Sequence, residues 1–471
     1  MFIFTKIEKL LIKQIYTSCI SQGAYFIESK GEAAVIDPLR EISVYLDLAK
    51  KSKSKIKYIF ETHFHADFVS GHLTLSKLTN SPIVYGPGAK PNFKSILAND
   101  NQVFKIGDLS LTALHTPGHT LESTSYLLRD ADGHQKCIFT GDTLFLGDVG
   151  IPDVAQRYQG VSKQELAGIL YDSVNKKIKT LDENILIYPG HGSGSACGKN
   201  IMKETVDTLK NQKAINYALN GTHSRNSFIR ELTHDLPDPP EYFPSNVKLN
   251  QNGYQDFDVV LEKSLKPIEL EKFISLSKNN NTVVLDTRNH VDFAKSHIPN
   301  SIFIGLNGQF APWAGAILKD IKLKILLICD EGKETETIMR LSRVGFDFVQ
   351  GYLDGGFDTW KMSKQNTNNI NSVSAKELKQ NISTNTNLID VRTEFENNRG
   401  FVKNSINIPL NSLEKNLEIV DKSNTYHVYC AGGYRSLIAA SILKKNGFNN
   451  VVNIVGGMSE IKKANFKLLK K

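Results

Sequence analysis

Short apolar runs that break directly into a polar turn recur along the first half of this 471-residue chain. AAVIDP (33–38), KYIFETH (57–63), LTALHTPGH (111–119), KCIFTGD (136–142) and ILIYPGH (185–191) all have this form. Runs of this length, bounded by Gly, Pro and Asp and separated by amphipathic stretches, predict strands alternating with helices and hence a layered α/β domain. The N-terminal MFIFTKIEKLLIKQIY alternates lysines with apolar residues, carries Glu8 and lacks a small-residue cleavage site. It is assigned to this first domain rather than to a targeting peptide. Residues 236–256, LPDPPEYFPSNVKLNQNGYQD, are rich in Pro, Asn and Asp without periodicity and predict a linker.

After the linker the pattern repeats itself. TVVLDTRNHVDFAKSHIPNSIFI (282–304) answers to NLIDVRTEFENNRGFVKNSINIP (387–409), ILLICDEGKE (325–334) to VYCAGGYR (428–435), and LDGGF (353–357) to IVGGM (454–458). The offset is 104 residues at Asp286/Asp390 and 101 at both Cys329/Cys430 and Gly355/Gly456, a three-residue slip that one loop accommodates. Each copy reads as strand, loop, helix and strand, so two small α/β units with parallel sheets are expected. The seam is the Asn-rich MSKQNTNNINS (362–372), which sets expected domains of 1–240, 257–363 and 372–471.

Composition changes this picture little. A chain of this length suits about three domains, and 40% hydrophobic with 23% charged residues is ordinary globular material. No segment approaches the ~18 uninterrupted apolar residues that span a bilayer. The formal charge of +8 is spread thinly, with no basic stripe interleaved with aromatics, so neither a membrane nor nucleic acid is an expected partner. Five cysteines without a C-x-x-C pair fit a reducing compartment, and a cytoplasmic location is expected.

The chemistry collects at strand ends. His63, His65 and Asp67 follow one strand in THFHAD, and His119, Asp142 and His191 each follow another. Ligand sites of α/β folds lie at such ends, and imidazole with carboxylate suits zinc or iron rather than a structural cysteine-zinc site. Cys197, six residues after His191 in HGSGSACGK, reads equally as a thiol reaching that pocket or as a small residue packed in a tight loop. Cys19 and Cys137 lie in strand-like runs and read as core residues.

Through THFHAD (62–67), TPGH (116–119), FTGD (139–142) and YPGH (188–191) the first half resembles the metallo-β-lactamase superfamily, which implies an αββα sandwich. Members that hold two zinc ions usually carry a His after the first-motif Asp, where this chain has Phe68. A single metal held by two His and one carboxylate is the arrangement of non-haem Fe(II) oxygenases. The superfamily's persulfide dioxygenases imply one Fe(II) per chain on His63, His119 and Asp142, with His65, Asp67 and His191 orienting the ligands or the bound persulfide. Related dioxygenases often place an arginine where this chain has Ile151, a departure that counts against glutathione persulfide as the preferred substrate.

In VYC-AGGYRS-LIAASILKKNGF (428–448), Cys430 ends a strand and a helix begins after a six-residue loop. Inward-turned backbone N–H groups and the helix N-terminus both favour the thiolate nucleophile. Arg435 offers a planar donor fork suited to sulfite or thiosulfate. Residues 258–471 resemble the rhodanese family in two copies. The second keeps the active loop, with Cys430 and Arg435. The first has CDEGKE, whose acidic residues beside Cys329 predict a raised thiol pKa and a degenerate copy with a structural or docking role.

The whole order resembles the multidomain persulfide dioxygenase–sulfurtransferases of the CstB type. That implies a bacterial, homo-oligomeric sulfide-detoxifying enzyme acting on low-molecular-weight persulfides and O2, with sulfite and thiosulfate as products. Two rivals stand beside it: a glyoxalase-II-like thioester hydrolase, and a sulfur-relay protein whose first domain only docks partners.

Overall fold

The computed structural model describes residues 2–7, 10–152, 160–236, 239–383 and 386–471. Met1, Glu8 of the N-terminal reading, Asp153, and Pro237 and Asp238 of the expected linker lie outside the described residues. The chain divides into two units, Met1–Phe257 with Ser342–Gly345, and Asp258–Leu341 with Phe346–Lys471.

The first unit stacks two sheets. One has seven strands in sequence order, from Phe2–Ile7 through Leu10–Thr17, Gln22–Ser29, Glu32–Ile36, Lys55–Phe60 and Ile83–Tyr85 to Ile96–Leu97. The other has six, ordered Asp207–Thr208, Leu186–Pro189, Gln135–Gly141, Thr124–Arg129, Leu109–His115 and Val103–Ile106. Alternate residues face the space between them: Tyr25 and Ile27, Ala34 and Ile36, Leu111 and Ala113, Tyr126 and Leu128, Cys137 and Phe139 form one core cluster. The opposite parity of the second sheet, including Leu114, Leu127, Ile138 and Ile187, packs on Ala167 and Leu170 of the helix Lys163–Ser173 and on Phe228 and Leu232 of Arg225–Thr233. Burying both faces of each sheet gives the expected αββα layering, and Cys137 is core as expected.

Parallel pairing fixes where the site forms. Glu32–Ile36 runs parallel to Lys55–Phe60, and Gln135–Gly141 parallel to Leu186–Pro189. Strands that run parallel deliver the residues after their C-termini to one edge, here Asp37 with His63, and Asp142 with His191.

The expected linker at 236–256 needs correcting. Phe243–Asn252 is a helix, with Pro244 in its first turn and Gly253 closing it at φ 105°. Asn246 and Asn250 on it are fully buried. Asn250, which reads as loop composition, instead satisfies buried backbone of the first unit.

The second unit contains two five-stranded sheets of the same order. The first runs Pro267–Ile268, Val349–Leu353, Lys324–Ile328, Thr282–Asp286, Ile302–Phe303; the second runs Asn371–Val373, Val451–Ile454, Tyr426–Tyr429, Asn387–Asp390, Ser405–Asn407. Every pairing within both is parallel, as the sequence repeat predicts. Among the described residues no helix is long and apolar enough to cross a membrane.

Candidate metal centre and cysteine loop

Hydrogen bonds around the strand ends of the first unit settle the tautomers of two imidazoles. Thr62 Oγ1 gives its hydrogen to Asp37 Oδ2 at 2.8 Å, so it accepts from His63 Nδ1 at 2.9 Å. His119 Nδ1 donates to the Ile151 carbonyl at 2.7 Å. Both rings therefore turn an unprotonated Nε2 inward, to 3.9 and 3.5 Å from Asp142 Oδ2. That carboxylate oxygen is buried and has no hydrogen-bond partner.

The other oxygen, Asp142 Oδ1, receives His191 Nδ1 at 2.8 Å, and His191 Nε2 donates to Asp67 Oδ2 at 2.8 Å. Burial works against a charge on His191, but Asp142 and Asp67 together lift its pKa well above the usual range. A charged His191 between two carboxylates holds Asp142 with Oδ2 facing the histidines. Asp142 itself stays well below the ordinary carboxylate range: burial opposes ionisation, and His191 overrides it. Gly190 is required at this approach, since a Cβ there would stand 2.5 Å from Asp142 Oδ1.

Ligand atoms of His63, His119 and Asp142 lie within 4.8 Å of one another. Two imidazole lone pairs and an orphaned carboxylate oxygen, all buried, fit one small cation with N, N, O donors. These three residues would hold it.

The remaining expected residues divide. Asp67 and His191 reach Asp142 as described. His65 goes elsewhere: its Nε2 lies 3.1 Å from Asp37 Oδ1 and 3.5 Å from Glu61 Oε2. Burial would depress this imidazole, but Asp37 above all, then Glu61 and Asp67, raise its pKa to about 9. It reaches the ligands through Asp37 and Thr62 and by direct ring contact with His63, the centroids 4.3 Å apart. Phe68, fully buried, packs against His65 with ring centroids 4.3 Å apart and the planes tilted by 36°.

Cys197 is buried within reach of Asp67 and His191. Burial first, then Asp67 and Asp142, push its thiol pKa well above the usual range, so it stands there protonated. The Ile151 side chain packs in the outer core, and only its carbonyl serves the site.

Two residues of the misread linker belong to this site. Asn250 Nδ2 donates to the His65 and Phe68 carbonyls, both at 2.8 Å, and its Oδ1 accepts from Ser70 N at 2.9 Å. The Tyr242 hydroxyl reaches the Asp67 carbonyl at 3.3 Å. The sequence signal that marked them was Pro244 and Gly253, a helix start and stop spaced about one short helix apart.

In the second unit, Cys430 follows the strand Tyr426–Tyr429, and the helix Tyr434–Lys445 starts after Gly433. Gly433 N–H donates to Cys430 Sγ at 3.1 Å, and Ser436 Oγ lies 3.7 Å away. Arg435, expected as an oxyanion fork, has a carboxylate partner in this structure. Its two terminal nitrogens donate to the two carboxylate oxygens of Glu396, each at 2.7 Å. A bidentate carboxylate partner occupies the fork, so Arg435 ties the loop to the helix Glu394–Asn398. The Asp-x-Arg motifs are internal pairs as well: Arg288 clasps Asp286, and Arg392 clasps Asp390.

At Cys329 the surroundings differ. Burial comes first, then Glu334, Asp286 and Asp330, and together they push its thiol pKa up to about 12.

Family comparisons agree with these two architectures. Residues 20–191 match the metallo-beta-lactamase superfamily, and 269–363 and 374–464 each match the rhodanese-like domain. The chain belongs to the metallo-beta-lactamase superfamily, with two rhodanese-like domains following on the same polypeptide. Its relatives include the mitochondrial persulfide dioxygenase ETHE1 of Mus musculus, 30% identical over 51% of this chain and 88% of that one. A probable hydroxyacylglutathione hydrolase of Schizosaccharomyces pombe is 33% identical over 35% of this chain, and the match spans 60% of the hydrolase. A solved metallo-beta-lactamase from Staphylococcus aureus superposes with a TM-score of 0.65 at 30% identity, covering 73% of this chain and 98% of that one.

Proposed function

We propose that the first unit is an Fe(II)-dependent persulfide dioxygenase and that Cys430 performs a coupled sulfur transfer. The observation that supports it best is the His63–His119–Asp142 set, whose donor atoms lie within 4.8 Å of one another, with His65 Nε2 facing Asp37 and Glu61 and with Phe68 packed against His65. Two histidines and one carboxylate leave coordination positions open, the pattern of non-haem iron oxygenases. The persulfide dioxygenase relative, matched over most of its length, points the same way.

The overall change is RSSH + O2 + H2O giving RSH and H2SO3. Bound Fe(II) would supply a centre where persulfide sulfur and O2 meet, making a bimolecular encounter intramolecular. The chain does the rest. Thr62 and the Ile151 carbonyl keep His63 and His119 in the ligating tautomer, and charged His191 keeps Asp142 ionised and aimed. The buried surroundings exclude bulk water from a reactive sulfur species.

At the second centre, Cys430 thiol takes the outer sulfur from a persulfide, releasing RSH. Sulfite then attacks that outer sulfur, breaking the S–S bond, so that thiosulfate leaves and Cys430 is regenerated. The Gly433 N–H steadies the sulfur that alternates between thiolate and persulfide.

Anaerobically purified protein should carry one iron per chain and consume O2 when given a persulfide. Asp142→Ala should lose both, since it removes one of three ligands. Two zinc ions per chain with hydrolysis of a glutathione thioester, and no persulfide-dependent O2 uptake, would replace this reading with the hydrolase.

A further inference from the structure

The loop that carries Cys430 is thinly supported on its outer side. A Cβ at Gly432 would meet nothing within 4 Å, and Ala431 and Gly432 are exposed. On its inner side Met458 N–H donates to the Cys430 carbonyl at 2.7 Å and Ser459 N–H to the Ala431 carbonyl at 3.0 Å. Gly433, which supplies the N–H to the sulfur, sits at φ 98°, a backbone state that many other conformers of a Gly-Gly pair would compete with. The Arg435–Glu396 pair and the Ser436 hydroxyl, which donates to the Gly433 carbonyl at 3.0 Å, hold part of the far end in register.

Tyr434, the residue after Gly433, adds a hold from across the repeat. Its hydroxyl donates to the Gly305 carbonyl of the first rhodanese-like copy at 2.7 Å. Its ring lies against Gly308 so closely that a Cβ there would stand 2.8 Å from ring carbons. Phe303 meets the same ring edge-on at a centroid distance of 6.3 Å. The cradle is itself fixed to the first copy's sheet: Ile304 N–H donates to the Asp286 carbonyl at 3.0 Å, and Arg340 holds the Leu306 carbonyl at 2.9 Å. A second link, Phe303 N–H to Ser441 Oγ at 3.1 Å, secures the helix that Tyr434 begins. The arrangement is one-way. The residue of the first copy in Tyr434's place is Lys333, which pairs with Glu336 on its own helix at 3.0 Å.

We propose that Tyr434 is a positioning residue for sulfur transfer, seated in a cradle formed by Gly305 and Gly308, so that the first rhodanese-like copy supplies the outer support of the Cys430 loop. This rests on Cys430 being the transferring thiol. The degenerate copy then has a definite job: its own cysteine is idle, and its strand-end segment 303–308 shapes its twin's active loop. Anchoring the phenol fixes the first residue of the helix, and with it the direction of the preceding Gly433 N–H. Its recorded contacts are with Gly305, Gly308 and Phe303 and not with the Cys430 sulfur, so its effect falls on the turnover of the loaded site and not on donor binding.

The test compares full-length Gly308→Ala and Tyr434→Phe with wild type. The first fills the cradle from the other copy, leaving the loop's own sequence unchanged; the second removes one oxygen atom. Gly308→Ala should lower kcat for thiosulfate formation about tenfold, with KM for the persulfide donor within about twofold, because a small displacement of a preorganised donor is enough. Alkylation of Cys430 by iodoacetamide, followed on its own peptide, should slow in parallel, while O2 uptake by the first unit stays at the wild-type value. Tyr434→Phe should show the same pattern at about threefold, from the loss of one partly buried hydrogen bond. Wild-type transfer and alkylation rates in both variants would overturn the proposal. If Gly308→Ala loses O2 uptake or unfolds, the Tyr434→Phe result decides alone. Failure of the underlying reading looks different: Cys430→Ser would keep transferring sulfur, whereas the alkylation rates report on the cradle whatever Cys430 does in turnover.

Discussion

Cys329 and Cys430 end corresponding strands, Lys324–Ile328 and Tyr426–Tyr429, in two parallel sheets of identical order. Both thiols are buried, and both stand before a helix N-terminus. Yet Cys430 receives the Gly433 N–H, while Cys329 faces Glu334, Asp286 and Asp330 and is held at a pKa of about 12. The fold thus delivers a cysteine to the same place twice, with different groups around its sulfur. At position five after the cysteine the contrast is sharpest: Arg435 in one copy, Glu334 in the other. A thiolate and a nearby carboxylate repel, so the acidic loop works against the very species that sulfur transfer needs.

The largest effect that would break this comparison comes from deleting the two sulfurs. Cys430→Ser should reduce thiosulfate formation by about 10³-fold or more, as loss of a nucleophile does. O2 consumption should persist, and sulfite should accumulate in place of thiosulfate. Cys329→Ser should leave the product ratio unchanged. The measurement is the sulfite-to-thiosulfate ratio under excess persulfide, corrected for the uncatalysed reaction. Equal losses in both variants would mean that the acidic loop does not silence its cysteine.

A smaller effect tests what Arg435 does. As an anchor for sulfite, Arg435→Ala would raise the KM for sulfite, and Glu396→Gln would not. As one half of an ion pair, the two substitutions should each lower transfer by about tenfold, and the double variant should be little worse than either, a coupling on the order of 1–2 kcal/mol. The pair also sets a pH expectation. Burial resists the ionisation of Glu396, but its bond to Arg435 wins and lowers its pKa. A lowered carboxylate contributes stability that is complete above its unfolded pKa and is lost as pH falls through the folded one. Loop order in the second copy should therefore hold through neutral pH and fail only in acid.

The two centres were unequally legible in the sequence, for a physical reason. His63, His119 and Asp142 act through side chains fixed at strand ends, and strands betray themselves by their apolar runs; the sandwich and both parallel sheets were readable on the same grounds. What escaped were contacts made by a partner distant in sequence. Asn250 binds three backbone groups of the 65–70 loop from a segment whose composition reads as a linker. His65 sits in a motif that suggests a ligand-orienting role, and only the structure shows its Nε2 facing Asp37, from the neighbouring strand end, and Glu61, four residues before it. Arg435 looked free because its partner lies 39 residues upstream, in a short helix that periodicity does not flag. Motif spacing tells which groups are near the chemistry, and only the fold tells which of them are already engaged.

The finest test of the twin loops is Glu334→Gln. The thiol of Cys329 is raised first by burial and only then by Glu334, Asp286 and Asp330. Removing one charge should therefore bring the midpoint of its alkylation profile down from about 12 by only about one unit or less. The sign is fixed: iodoacetamide reacts with the thiolate, so the rate at any pH below the midpoint should rise in the variant, while the plateau at high pH stays where it was. At neutral pH the gain is at most about tenfold on a very small thiolate fraction, too little to create a second transfer site. Thiosulfate output of Glu334→Gln combined with Cys430→Ser should accordingly stay at the level of Cys430→Ser alone. If Glu334→Gln instead restored transfer in that background, charge alone would have silenced the first copy, and burial, the missing Gly-Gly turn and the absence of a cradled tyrosine would count for nothing at Cys329.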